Sequence, residues 1–323
     1  MRRPGEEGVA LLTVLLLVAV MSALAVGVLD DIRFGIRRTA NGEAISQARW
    51  YALGAETLAR RRLVELAGDS APVAADWNGR TFTFPIDEGT LQGRISDGAT
   101  CFNLNSVVDG VGESYRRRDL GAAQFTALLE ALQVAPRTAE ALTGALVDWI
   151  DSDALRETGG AEDETYGRGT KPYRTAGALL AEVSELRAVH GFDPALYARV
   201  RPFVCALPTT MLSPINLNAL TPQQAPLVVM LTDGAVTVEA ARRVIAGRPA
   251  QGWSEVMAFW RMPQLIDLQP SADVIAQVAV RSRFFNLESE VSYRDAVVVA
   301  SALFEQDAAG GIRLAARRWT NDE

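Results

Sequence analysis

Histidine is nearly absent from this 323-residue chain, which holds only His190, and cysteine is scarce, with Cys101 and Cys205 alone. That supply excludes the usual structural zinc sites, which draw four ligands from cysteine and histidine. Excess positive charge is missing too: 32 Lys and Arg face 39 Asp and Glu, for a formal net charge of −7 and a pI near 5.0. A general nucleic-acid binder shows the opposite balance. No G-x-S-x-G, Walker-type or G-x-G-x-x-G stretch occurs, so no familiar nucleophile elbow or phosphate cradle is present. His190, in "ELRAVHGF", stands where a helix runs out before Gly191, a position in which an imidazole favours the helix dipole.

Two further absences organise the chain. From Val9 to Leu29 there is no charge, and only Thr13 and Ser22 carry polar side chains. A helix through such a run rises to about 30 Å, enough to cross a bilayer core. A secretory h-region is shorter, about 7–15 residues, and ends in a small-residue cleavage site. Here Asp30, Asp31 and Arg33 close the run without one, so the reading is a retained membrane anchor rather than a cleaved signal or a buried soluble helix. Arg2 and Arg3 before it, and Arg33, Arg37 and Arg38 after it, pull orientation in opposite directions. Charge alone leaves the topology open. In an exported domain a Cys101–Cys205 bridge is expected, with two buried thiols as the alternative; such a bridge would fit a domain outside the cytoplasm.

Proline is missing between Pro4 and Pro72. Over that stretch small or apolar residues recur at helical spacing: Ile32, Ile36, Ala40, Ala44, Ala48, Ala52, Ala55, Ala59, Leu63 and Leu66. The pattern predicts one helix from about Val9 to Leu66, first in lipid and then amphipathic, and nearly 90 Å long. "RTFTFPI" (80–86) and "LQGRISD" (91–97) alternate in hydrophobicity around "DEGT", which predicts a hairpin. "RFFNLESEVSY", "DAVVVASALFEQD" and "IRLAARRW" predict a three-stranded meander at the far end. Between these β segments the pattern is helical. The expected fold is therefore α+β: a long N-terminal helix (9–68) on a small antiparallel sheet, with a large α-helical domain (103–277) inserted between its first part (69–102) and its last strands (278–323).

The insert carries a repeat. "CFNLNSV" (101–107) resembles "PINLNAL" (214–220), and each precedes an apolar helix. Asn side chains at such positions cap helices or close turns by bonding nearby backbone amides. Helix-hairpin-helix DNA modules share this look, but the acidic charge and the lack of a basic Gly-x-Gly turn count against them.

The sharpest chemical cluster is the acidic loop 148–175, with seven carboxylates and one Arg between Asp148 and Glu164, interrupted by Gly159–Gly160. Calcium takes 6–8 hard oxygens in a flexible shell. The regular EF-hand pattern is absent, since Leu155 fills a ligand position and Arg156 the glycine position. A solvated acidic loop is the bland alternative. Trp149, Ile150, Tyr166 and Tyr173 are interleaved with the acids, so the loop reads as packed, and packed carboxylates repel unless a cation joins them. The expected cofactor is calcium, on Asp151, Asp153, Glu162 and Asp163, with Asp148 and Glu164 in reserve.

A polar leader ending in Gly8, an apolar helix from Val9, an amphipathic continuation and a C-terminal sheet resemble a type IV pilin-like protein. More narrowly, "GVALLTVLLLVAV", "QARWYALGAE", "CFNLNS", "LVDWIDSD", "GGAEDETY", "KPYRTAG" and "VSELRAV" resemble the minor pseudopilin K family of the type II secretion system. The resemblance implies that a prepilin peptidase removes the leader (1–8) after Gly8 and methylates Val9. It implies an inner-membrane anchor with the bulk of the chain in the periplasm, and partnership with minor pseudopilins I and J, and H. Most pseudopilins carry Glu as the fifth mature residue, where this chain has Thr13. That departure is typical of protein K and fits a subunit at the filament tip, which initiates assembly and supports secretion without catalysis. Two other readings stand beside it: a membrane-anchored periplasmic calcium-dependent hydrolase, which needs a nucleophile–base set, and a DNA-uptake pilin component, which needs salt-dependent DNA binding.

Overall fold

The computed structural model describes residues 6–67, 77–168, 171–307 and 309–319. Residues 1–5 of the leader and 68–76 of the first sheet segment lie outside the described residues. The first element, α1 (Glu6–Ala67), is one unbroken helix of 62 residues. Its lower part, from Val9 to Gly42, is exposed throughout, and one window of it is apolar enough to cross a membrane. Its upper part buries Ala44, Ala48, Ala52, Ala55, Ala59, Leu63 and Leu66. The spacing 4-4-3-4-4-3 averages close to the helical period, so the stripe stays on one face of a nearly straight helix. Ile32, Ile36 and Ala40, expected in the same stripe, are exposed. The stripe continues, but the sheet that covers it begins only at Ala44.

The sheet has five antiparallel strands in the order β1-β2-β9-β10-β11: β1 (Arg80–Ile86), β2 (Gly89–Asp97), β9 (Phe284–Tyr293), β10 (Ala296–Gln306) and β11 (Ile312–Arg318). The hairpin joining β1 and β2 turns through Asp87 and Glu88 alone, with Glu88 at φ 55°. Gly89 and Thr90, expected in the turn, already pair with Ile86 and Pro85. A Cβ on Gly89 would meet the Ser292 carbonyl oxygen at 1.9 Å, so only glycine lets β2 approach β9 there. Glu56 of α1 is 5% exposed and accepts from Arg317 of β11, Nε at 2.6 Å and Nη2 at 2.7 Å. This two-point ion pair fixes the stem against the sheet edge.

Everything between β2 and β9 is insert. The register sets where it sits. Leu91 and Val291 pack near Ala48 and Ala52, whereas Ile95, Phe285 and Leu287 pack near Leu63 and Leu66. Both crossings into the insert, at Gly98 and Arg283, thus lie at the end of the sheet farthest from the apolar half of α1. At this junction Asp97 is buried. Its Oδ1 accepts from the Ala99 N–H at 2.7 Å, and its Oδ2 accepts from Asn216 Nδ2 at 2.7 Å and from the Ser282 hydroxyl. Burial pushes its carboxyl above the ordinary range.

The insert is built from two units around one core. The first runs from β3 (Phe102–Asn103) through the hairpin β4 (Val108–Val111) and β5 (Ser114–Arg117). It continues with helices α2 (Asp119–Ala131), α3 (Pro136–Ile150), α4 (Asp163–Tyr166) and α5 (Pro194–Val200), and ends at β6 (Val204–Cys205). The second runs from β7 (Ile215–Asn216) through α6 (Ala225–Leu231), α7 (Val238–Ala246), α8 (Val256–Trp260) and α9 (Ala272–Gln277) to β8 (Val278–Ala279). Each unit closes by a short parallel pairing, Phe102 with Val204 and Ile215 with Val278. The expected α-helical insert is there, with short strands added, and its expected end at Gln277 moves outward, because Val278–Ala279 pairs with β7. The stem's sheet resumes at Phe284.

The two N-L-N segments hold these closures. Asn105 Nδ2 donates to the Leu180 and Leu207 carbonyls at 2.9 and 2.8 Å, and its Oδ1 accepts from the Leu180 N–H at 2.8 Å. Asn218 Nδ2 donates to the Trp253 and Val280 carbonyls, both at 2.9 Å, and its Oδ1 accepts from the Trp253 N–H at 2.8 Å. One amide thus satisfies three backbone groups of two distant segments in each unit.

Candidate functional site

Helix α3 begins with Pro136 at its first turn and presents Ala139, Leu142, Leu146 and Ile150 to the core. Its last turn carries Asp148 inward, 1% exposed, and Asp151 follows as the C-cap, 5% exposed. The chain then doubles back through Gly159 and Gly160. Gly159 adopts φ +76°, and a Cβ on Gly160 would lie 2.1 Å from Asp148 Oδ2. The glycine pair is what lets the returning loop reach the acids.

The fold-back gathers Asp151, Asp153 and Glu162, with one oxygen of each within 4.8 Å of the others. Asp148 Oδ1 accepts from the Glu157 N–H at 3.0 Å. Its Oδ2 is buried without a partner, as are Asp151 Oδ1 and Glu162 Oε1. Burial first, then the charges of Asp153, Asp148, Glu162 and Glu157, pushes Asp151 up to about 7. Asp148 and Glu162 are raised for the same chief reason, burial. Orphaned carboxylate oxygens converging from one loop have the chemistry of a hard-cation shell. The donor set fits calcium.

Asp163 is placed differently from the expectation. Its Oδ1 accepts from the Thr175 N–H at 2.9 Å and the Thr175 hydroxyl at 3.0 Å, and these bonds hold its carboxyl below the ordinary range. It ties the loop to its own far end and lies outside the gathered trio. Asp148, held in reserve, is the acid that stands beside the trio instead. Glu164, the other reserve, pairs with Arg168 on the surface. Residues 169–170 of the acidic loop lie outside the described residues.

Aromatic rings cluster within the same stretch of chain. Trp149, Tyr166 and Tyr173 form a triangle with centroid distances of 5.3, 5.1 and 6.1 Å. The Trp149 carbonyl accepts from the Ala176 and Gly177 N–H groups, both at 3.1 Å. The Tyr166 hydroxyl accepts from the His190 N–H at 3.0 Å, and burial pushes its pKa up to about 12. His190 itself is exposed and follows a short 3-10 turn, Val183–Ala188, rather than a full helix.

The other expected positions lie elsewhere. Cys101 and Cys205 form a disulfide across 104 residues, beside the β3–β6 pairing. Gly8 and Val9 lie within α1, Val9 at 64% exposure. Thr13 Oγ donates to the Ala10 carbonyl at 2.9 Å, so its hydroxyl is satisfied within the helix and needs no partner in lipid. Sequence reasoning missed the clasp of Asp97, Asn216 and Ser282; the repeated Asn was its only signal.

Models of the family described as type II secretion system (T2SS), protein K match residues 100–209 and 215–281, the two units separately. Type II secretion system protein K of Aeromonas hydrophila is 40% identical over 88% of this chain and 87% of its own length. The protein of that name from Klebsiella pneumoniae is 39% identical over 80% of each. The crystal structure of the GspK-GspI-GspJ complex from the enterotoxigenic Escherichia coli type 2 secretion system contains a chain that superposes with a TM-score of 0.75 at 29% identity, covering 88% of this chain and 100% of that one. With its long exposed stem, its small sheet and its two-unit insert, this chain belongs to the type II secretion system protein K family.

Proposed function

We propose that this chain is a minor pseudopilin that crowns the pseudopilus together with pseudopilins I and J, initiating assembly in support of secretion across the outer membrane. The observation that carries the reading is the position of the insert. It caps the end of the sheet opposite the apolar half of the stem, where another subunit stacking from above would need room. Thr13 agrees with it. An acid at that depth is costly without a neighbour's amino terminus to pair with, and a topmost subunit has no subunit above it.

Among the described residues one helix, the stem, is long and apolar enough to cross a membrane. The disulfide favours an oxidising compartment, so the insert belongs in the periplasm and the anchor in the inner membrane, with a prepilin peptidase cutting after Gly8 on the cytoplasmic side. At the acidic loop, Asp151, Asp153 and Glu162 with Asp148 would hold calcium, which removes their mutual repulsion and pins the loop to α3. Its role is structural: the ion links the end of α3 to the returning strand of the loop.

The test is co-purification of the full chain from membranes that also contain pseudopilins I and J, with metal analysis and N-terminal mass of the product. A complex of the three, a chain beginning at methylated Val9 and bound calcium are expected. Recovery of this chain alone, with both partners present and folded, would overturn the reading.

A further inference from the structure

The loop that gathers the acids lies along the hairpin β4–β5. That hairpin is short, with four residues in each strand, and it turns through Gly112 at φ +67°, leaving Val111 90% exposed. A lone two-stranded hairpin is marginal in water. In an antiparallel pair every second residue faces its N–H and C=O outward, and at Tyr115 both groups are taken by Ser152. The Tyr115 N–H donates to Ser152 Oγ at 3.1 Å. The Tyr115 carbonyl accepts from the Ser152 N–H at 3.1 Å and from its hydroxyl at 3.0 Å. One residue of the loop thus stands beside β5 as a third strand would. Its neighbours on either side are Asp151 and Asp153, two of the three gathered acids. A second link joins the same strand to the far side of the loop tip. Arg117 Nη1 donates to the Glu157 carboxylate at 2.9 Å, and the Glu157 N–H is the donor to Asp148 Oδ1. Arg117 Nε also donates to Asp119, the first residue of α2, at 3.1 Å.

We propose that Ser152 and Arg117 are positioning residues for the cation: β5 is the template on which the ligand loop is laid, and the hairpin and the ion stabilise each other. This rests on the calcium reading above and names what orients its ligands. Neither part is complete alone. Without an ion, the partnerless oxygens of Asp148, Asp151 and Glu162 favour an open loop. Without the loop, β5 is left with two open backbone groups at Tyr115. The grip on Ser152 fixes the backbone between two ligands, so Asp151 and Asp153 start from a set position rather than from a flexible acidic run. Groups that orient metal ligands without touching the metal typically set about 10–100-fold of affinity. The coupling is reciprocal: whatever factor the formed hairpin adds to calcium affinity, calcium adds to the hairpin's stability. Arg117 gives the proposal a sign. As a positive charge close to a cation site it opposes calcium by Coulomb repulsion, whereas its hold on Glu157, and through it on Asp148, favours the ion. A positioning role requires the second effect to win.

The experiment uses the full chain in detergent. Calcium affinity is read by titration calorimetry, and the hairpin by amide hydrogen exchange in chelator and in saturating calcium. In the wild type, calcium should slow exchange of the Tyr115 amide by ~tenfold or more and leave the amides around Trp253 unchanged. Ser152→Ala, which removes the hydroxyl, should weaken calcium binding by ~tenfold or more and remove most of the slowing at Tyr115. Ser152→Thr, which keeps the hydroxyl, should restore both. Arg117→Gln should weaken calcium by a smaller factor; tighter binding would show Arg117 acting only as an opposing charge and would overturn its half of the proposal. If Ser152→Ala keeps the wild-type affinity, or if calcium leaves exchange at Tyr115 unchanged in the wild type, the positioning role is overturned and the calcium reading survives. Should Ser152→Ala fail to fold, the wild-type exchange comparison decides alone. If the wild-type chain binds no calcium, the calcium reading falls and takes the positioning role with it.

Discussion

Asn105 and Asn218 make the same three hydrogen bonds in two places, but the units around them are held by different means. In the second unit the path from α7 to Trp253 is short, and Trp253, Phe259 and Trp260 fill the space beneath it with edge-to-face contacts at 5.5 and 5.0 Å. In the first unit the path from α3 to Leu180 is long and carries one four-residue helix, α4. Most of the residues on that path are exposed, apart from those around the Trp149–Tyr166–Tyr173 triangle. The unit compensates with links that do not depend on apolar area: a disulfide, a gathered set of acids fit for a cation, and the Asp163–Thr175 tie. The position matching Cys205 in the second unit is Ala279, by the shared register with Asn103 and Asn216. There the Asp97–Asn216–Ser282 clasp stands instead. A repeat can therefore keep its backbone geometry while exchanging the kind of bond that secures it.

This contrast breaks most sharply at the disulfide. Replacing Cys101 and Cys205 with Ala frees a loop spanning 104 residues and should cost about 4 kcal/mol of stability, read as a lower urea midpoint. Hydrogen exchange should rise in the first unit and stay unchanged around Trp253. A uniform rise would mean that the two units unfold only together. Next in size are the two clamps. Asn105→Ala orphans three backbone groups and should cost about 3 kcal/mol, and Asn218→Ala, at a less buried site, about 2 kcal/mol. Equal losses would show that burial does not set the difference.

Calcium comes third. A hundredfold excess over Kd should add about 2.7 kcal/mol by linkage, and the Asp148→Asn, Asp151→Asn double variant should lose that gain. With a chelator present the sign of the pH dependence is set by Asp151. Its folded pKa of about 7 lies above the ordinary aspartate value of about 3.9, so the folded state holds a proton that the unfolded chain releases. Its contribution is full below pH 4 and is lost as pH rises through 7. Urea titrations in chelator should show stability falling across that window, and a rise there would refute the burial of these acids. Smallest is Asp163→Ala. It should cost about 1 kcal/mol by removing two loop bonds and leave calcium affinity unchanged, whereas Asp153→Ala should weaken affinity clearly. Matching losses in calorimetry would return Asp163 to the ligand set.

The stem was legible because nothing interrupts it: no proline, and an apolar run followed by an alanine stripe. Where the stripe stops being covered was not legible, since Ile36 and Ala44 have the same spacing and only the reach of the sheet separates them. The hairpin was readable from alternation, but its two-residue turn was not, because Gly89 is needed for close approach rather than for turning. Strands of two residues such as β3 and β7 have no period to detect. The acidic loop announced itself by composition, while the placing of Asp148 beside the gathered acids, and of Asp163 at the Thr175 tie, depends on where Gly160 lets the chain return. The N-L-N repeat was visible as a duplication. What each Asn grips lies 35 to 102 residues away, beyond any local pattern.

Both crossings into the insert leave from neighbouring ends of β2 and β9, paired at Asp97 and Phe285. That shared exit has a mechanical meaning. A pull on the insert draws the two strands in the same direction, so their ladder is not peeled apart one bond at a time. The tension passes instead to the long seam between the sheet and α1, where it acts as shear along the Ala44–Leu66 stripe and on the Glu56–Arg317 pair together. A handle mounted this way transmits force between its top and the membrane without first unzipping the body that joins them.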